Sequence, residues 1–236
     1  MVDLDTMKPV DVKSRKQSDI SAVLETWGVE VLNQIREVSM DMSGNYKGLV
    51  KNLLPCVDVT VDRFHVMKLV NEELDFARKT VQKAALESKD TTEKERVLAS
   101  LSRSKYVLLK TEADLNDEQR EKLGEVKQVS PLLSRMHNIT EEFREIFETA
   151  LDWGDGTLRL LDWLVEAQAD FKNCTQTIKR WFGEIVGYFE QGTTNGVVEG
   201  INNKLKLIKR SGYGFRNFDN FKLRSLICWY LHVDSA

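Results

Sequence analysis

Apolar and polar positions change period once along this chain. In the first sixty or so residues short apolar runs alternate. "CVDVTV" (56–61) sets Val57, Val59 and Val61 against Asp58 and Thr60, a period of two that predicts a strand. "IREVSM" (35–40), rich in apolar and β-branched residues, predicts a second. Between them "YKGLVKNLL" predicts a short helix stopped by Pro55. "MVDLD" and "VDVKS" flank "TMKP", which suggests a hairpin, and a helix over about 17–27 leads to the strand at 35. Strands and helices in this order predict an α/β unit with a mixed sheet.

From Phe64 the period becomes helical. Met67, Val70, Leu74, Ala77, Val81 and Ala84 follow one another at steps of three and four, an apolar stripe on one helix face. Further helices are predicted over about 91–108, 116–126, 131–151, 157–169 and 172–190, with a firm turn at "DWGDG" (152–156). Residues 66–190 therefore read as a helical insertion, without internal repeats or low-complexity segments. A helix from Gly196 to about Arg210 and another over about 217–233 follow. The expected organisation is a core portion at 1–65, the insertion at 66–190 and C-terminal helices at 191–236 that complete the core.

The net charge of −3 over 236 residues conceals a local asymmetry. Residues 199–224 hold seven Lys and Arg against Glu199 and Asp219, a net +5, so the remaining chain carries −8. A basic stretch on an acidic body points to a local polyanion partner. Cys56, Cys174 and Cys228 are widely spaced, with no CxxC, and are expected as reduced core thiols. The N-terminal stretch lacks the apolar segment of a signal peptide, and no apolar run is of bilayer-spanning length. A soluble intracellular protein with no membrane role is expected.

Asp41 directly follows the strand at 35–40, where open α/β sheets place ligand sites, although an Asp there more often caps a helix. Asp62 ends the next strand and begins "DRFHV", with His65 one turn in; an N-cap is the ordinary role for such an Asp. On the helix from Gly196, Val197, Ile201, Leu205 and Ile208 fall within about 80° of one another. Glu199, Asn203, Lys206 and Arg210 share the other side within about 60°. A solvated amphipathic helix explains that spacing. The stretch that follows interleaves Arg210, Arg216, Lys222 and Arg224 with Tyr213, Phe215, Phe218 and Phe221, which suits phosphate contacts and base stacking. Phe218 and Phe221 also fit a helix core stripe. Carboxylates without a His or Cys cluster favour Mg²⁺ or Mn²⁺ over zinc.

"VSMDMSGNYKGLVKNLLPCVDVTVDRFHVMKLVNEELDFAR" and "TTNGVVEGINNKLKLIKRSGYGFRNFDNFKLRSL" resemble bacterial insertion-sequence transposases with a DDE catalytic domain, of the ISL-three family. The resemblance spans nearly the whole chain. It implies an RNase H-like mixed sheet with a large helical insertion before the final catalytic helix. It also implies Mg²⁺-dependent DNA cleavage and strand transfer in the bacterial cytoplasm. In that scheme Asp41 is the second catalytic aspartate and Glu199 the glutamate, both metal ligands. Asp62 and His65 become near-site residues, with Asn203 beside them on the glutamate's helix. Lys204, Lys206, Lys209, Arg210, Tyr213 and Arg216 are the expected DNA contacts, transposon ends and target the DNA partners; a homo-oligomer is left open. The family's first aspartate lies on a strand upstream of a hairpin, and this sequence starts at about that hairpin; Asp3 and Asp5 come too late to replace it. A sheet missing its first strand and a catalytically incomplete fragment are expected. The rivals are a non-catalytic DNA-binding or regulatory remnant, and a helical interaction protein with no nucleic-acid role.

Overall fold

The structure is a computed structural model that describes residues 1–3, 8–9, 16–191, 196–212 and 218–230. It forms two compact units, Met1–Val59 with Thr193–Ala236, and Thr60–Gly192. Among the described residues no helix is long and apolar enough to cross a membrane.

Three of the four strands lie in the first unit, and the last runs across the boundary at Val59–Thr60. β1 (Val2–Asp3) pairs antiparallel with β2 (Lys8–Pro9), Val2 opposite Pro9 and Asp3 opposite Lys8. The predicted hairpin is therefore present, but its second strand is Lys8–Pro9; residues 10–15, where it was expected, lie outside the described part. α1 (Gln17–Leu32) runs past the predicted end at 27 because two helical stretches meet at Gly28. Gly28 has φ 78°, a left-handed backbone only glycine adopts without strain. β3 (Glu37–Met40) and β4 (Asp58–Val61) form a small two-stranded parallel sheet. Parallel neighbours need a crossover, and α2 (Gly44–Leu53) supplies it before Pro55 ends the helix. Asp58 N–H donates to the Arg36 carbonyl at 3.0 Å, fixing the start of the pairing. α11 (Gly196–Ser211) packs against α12 (Phe218–Tyr230).

The second unit is helical. α3 (Arg63–Glu87) turns Val66, Val70 and Leu74 into the core. Met67 and Ala77 from the predicted stripe are only half-buried and Ala84 is exposed. The buried row shares Val70 and Leu74 with the predicted stripe and begins at Val66, on the same side of the helix. α4 (Thr91–Leu101) and α5 (Ser104–Leu109) split the expected helix over 91–108 at Arg103, whose φ of 55° no helix tolerates. α6 (Asp117–Val129) starts on a reciprocal Asn116–Gln119 capping box. α7 (Pro131–Thr149) has Pro131 in its first turn, where proline costs no hydrogen bond, and the Ser130 side chain accepts from Leu133 N–H.

"DWGDG" is a helix start rather than a free turn. Asp152 is the N-cap of α8 (Trp153–Ala167), its side chain accepting from Asp155 N–H at 2.9 Å. The glycines sit inside the helix, and one of them faces a ring. A Cβ on Gly156 would lie 2.5 Å from Phe189 Cγ on α10 (Phe182–Gln191). Gly156→Ala, normally stabilising in a helix, is expected to cost about 1–3 kcal/mol here by overpacking. A urea unfolding midpoint that rises instead would show that Phe189 gives way.

α9 (Lys172–Arg180) begins without a cap from its own flank. Glu73 on α3 supplies it, accepting from Asn173 N–H at 3.1 Å and Cys174 N–H at 2.7 Å. The core centres on Phe143, Phe147, Trp163, Phe171, Tyr188 and Phe189, whose neighbouring rings lie 4.5–6.0 Å apart. The buried Trp163 indole N–H donates to the Ile139 carbonyl at 2.8 Å.

The cysteine expectation needs correction. Only Cys174 is buried, and burial pushes its thiol pKa far up. Cys56 sits exposed in the turn after Pro55, and Cys228 on the outer side of α12. Position in a turn and on an outward helix face, rather than hydrophobicity, decides both.

Candidate functional site

Asp41 lies at the carboxyl end of β3, exposed. It does not cap α2: the N-cap is Ser43, and no side-chain capping bond forms there. What Asp41 contributes to the turn is its backbone carbonyl, which accepts from Ser43 N–H at 2.7 Å. Its carboxylate is therefore not engaged by the helix terminus, and an exposed carboxylate is a suitable hard oxygen donor for Mg²⁺ or Mn²⁺.

Glu199 lies near the start of α11; its side chain falls outside the described part. Further along α11, Asn203, Lys204, Lys206, Lys209 and Arg210 are exposed, Leu205 is half-buried and Ile208 is buried. The helix is held by its apolar side and presents cations to solvent. Lys204 differs from the rest: its Nζ donates to the Cys228 carbonyl of α12 at 3.1 Å, so part of its donor capacity joins the two helices. Leu207, 62% exposed, stands within the basic face. Tyr213 and Arg216 lie outside the described residues.

Asp62 and His65 are brought together. Asp62 is the N-cap of α3, accepting from Phe64 N–H at 3.0 Å through one oxygen and lying 3.1 Å from His65 Nδ1 through the other. Asp62 is buried and its carboxylate is occupied twice. His65 remains about two-fifths exposed, with its ring edge-on to Phe64 at 5.6 Å. Asp62 thus orients the imidazole, and its Nε2 edge is the one left for a contact.

Among the described residues no group of three His, Cys, Asp or Glu side chains converges on a common metal position. The charged clusters that do form belong to the helical unit. Asp75, buried, has Arg78 Nε at 2.8 Å, Lys79 Nζ at 2.8 Å and Lys105 Nζ at 3.9 Å. Burial works to raise its carboxyl pKa, but the bonds from Lys79 and Arg78 outweigh it and the net direction is down. The helical spacing Asp-x-x-Arg-Lys carried this signal in the sequence. The second cluster, around Arg144 and His137, joins residues far apart in the chain and had no local signature.

The transposase model of the DDE ISL-three type matches residues 1–225. The chain belongs to the ISL-three family of DDE transposases. It is 26% identical over 219 residues to the transposase for insertion sequence element IS1557 of Mycobacterium tuberculosis, covering 85% of this chain and 49% of that protein. It is 22% identical over 216 residues to the transposase for insertion sequence element IS1001 of Bordetella parapertussis, covering 89% of this chain and 51% of that protein. The chain thus spans about half the length of these curated relatives. A shorter stretch of 57 residues is 39% identical to an ATP-dependent protease of Lactococcus lactis, covering 24% of this chain and 18% of that protein. No solved structure gives a significant match.

Proposed function

We propose that this chain carries part of a metal-dependent strand-transfer site acting on DNA, built on an RNase H-like core. Asp41 and Glu199 are its metal ligands, and Asp62 orients His65. The observation that carries the reading is the exposed cationic face of α11, borne by the same helix as Glu199. Support comes also from the exposed Asp41 carboxylate at a strand end and from membership of a DDE transposase family. Asn203, Lys206, Lys209 and Arg210 then follow a phosphate backbone past the acids, Lys204 contributes while tied to α12, and Tyr213 and Arg216 extend the contact. Mg²⁺ or Mn²⁺, when bound, would activate an attacking oxygen and stabilise the leaving oxygen of a phosphodiester. The chain is therefore expected to bind DNA through α11.

The test uses the whole chain, duplex DNA and Mg²⁺. Lys206→Glu with Arg210→Glu should lower duplex affinity at least about tenfold and flatten the log–log salt slope by about two. Unchanged affinity would remove α11 from the interface. Strand transfer that Glu199→Gln leaves unchanged would remove Glu199 from the site. No DNA binding at low salt would favour a helical interaction protein.

A further inference from the structure

The break between α4 and α5 carries a run of cations around an exposed ring. No Asp or Glu occurs between Glu95 and Glu112, while Arg96, Arg103, Lys105 and Lys110 do. Arg103 and Lys105 are exposed, and the Tyr106 side chain beside them is 59% exposed. Lys110 Nζ lies 5.6 Å from the centroid of the Tyr106 ring and is held by the Asp114 carbonyl. A cation thus attends one part of the ring, and its exposure leaves room for a second planar group.

The neighbouring helix α3 extends the patch. Lys79 and Lys105 approach the same Asp75 oxygen, at 2.8 and 3.9 Å, so ammonium groups from two helices sit side by side. Arg78, nearly buried, pairs with the other oxygen at 2.8 Å. Three cations about one carboxylate leave an excess of positive charge, and Arg78 keeps Asp75 paired when the exposed lysines turn to an outside anion. Arg103 is a second sign. Its φ of 55° is left-handed, where glycine is the favoured residue. The buried Ser104 hydroxyl, donating to the Leu101 carbonyl at 2.7 Å, holds the break. The chain keeps a long cationic side chain where glycine would relieve the backbone, and strain of this kind gathers at contact sites.

We propose that Lys79, Arg103, Lys105 and Tyr106 of the helical unit bind an unpaired DNA strand. Tyr106 stacks on a base, and the three cations contact the flanking phosphates. An exposed ring among cations fits a base free of its stack, whereas a duplex offers its bases only edge-on in the grooves. An acidic peptide would satisfy the cations and leave the ring unused. The partner class rests on the DNA reading above, but the residues are separate from α11 and belong to the other compact unit.

The test uses the full chain, fluorescent oligothymidylate and a duplex of equal length. Tyr106→Ala should lower single-strand affinity about tenfold and leave duplex affinity within about twofold. Lys79→Gln with Lys105→Gln should weaken single-strand binding and flatten its log–log salt slope by about one to two. Arg103→Gly should weaken it several-fold while the melting temperature holds or rises, a split that a purely structural arginine would not give. These effects should persist when Lys206→Glu and Arg210→Glu are also present. Single-strand affinity that Tyr106→Ala leaves unchanged overturns the proposal while the α11 reading stands. An equal loss on the duplex also overturns it. So does polyglutamate that displaces the strand as well as oligothymidylate does, which would mark a protein partner. Absence of DNA binding by the unaltered chain at low salt overturns both readings.

Discussion

Arg144→Ala is expected to destabilise the helical unit by about 3–5 kcal/mol, a large part of a typical domain's total. Arg144 is buried on α7 and joins three elements. Its Nη2 donates to Asn71 Oδ1 of α3 at 3.1 Å and to the Leu109 carbonyl at the end of α5 at 2.7 Å. Its Nη1 pairs with Glu141, whose other oxygen accepts from Glu112 N–H at 3.0 Å. Burial lowers the Arg144 pKa, yet a guanidinium stays charged, so its acceptors depend on it. Truncation leaves a carboxylate, a carbonyl and an amide poorly paired in a dry site, and the unmet desolvation of each adds to the loss. Arg144→Lys should recover less than half, because a point ammonium cannot span the three acceptors that the planar fork reaches. Calorimetry should show the Ala variant melting roughly 10 °C lower. A loss below about 1 kcal/mol would mean that the network is decorative.

Acid should weaken the same unit before ordinary carboxylates titrate. His137 is fully buried, and neither ring nitrogen has a well-formed hydrogen bond among the described residues. Its nearest acids are Glu112 Oε2 at 3.7 Å from Nδ1 and Glu141 Oε1 at 4.0 Å from Nε2. Burial, helped by the Lys127 charge and opposed by Glu112, pushes its pKa down from 6.5 to about 4. The folded state therefore binds this proton more weakly than the unfolded chain does. Neutral His137 leaves stability intact above about pH 6.5, and stability falls as pH drops from there toward about 4. The full cost is roughly 3 kcal/mol, from a depression of that size. Urea midpoints at steps of pH should decline over this window, and His137→Leu should flatten the decline. A wild-type midpoint constant between pH 7 and 5 would contradict the neutral, buried imidazole.

Local pattern made several features legible. The strands at 37–40 and 58–61, the crossover helix ended before Pro55, the Asp62 N-cap and the exposed cations of α11 all follow from short-range rules of alternation, capping and helical period. The family membership was equally legible in "DRFHV" and "VEGINNKLKLIKR". Misreadings arose where distant partners overrule local preference. The glycines of "DWGDG" signal a turn, but they lie inside α8, where the approach of Phe189 leaves no room for a side chain at Gly156. A periodic row over 91–108 gave no warning of the left-handed Arg103.

What the sequence determined alone is thus the order and type of elements, the concentration of positive charge on one helix and the family. Each depends on neighbours within a few residues, where backbone geometry dictates the spacing. Tertiary structure decided which charges are buried, that Glu73 caps a helix a hundred residues away, that Arg144 joins three helices and that His137 stays neutral. Those outcomes depend on desolvation, which is set by whatever packs in front of a side chain, and no periodicity along a chain encodes that.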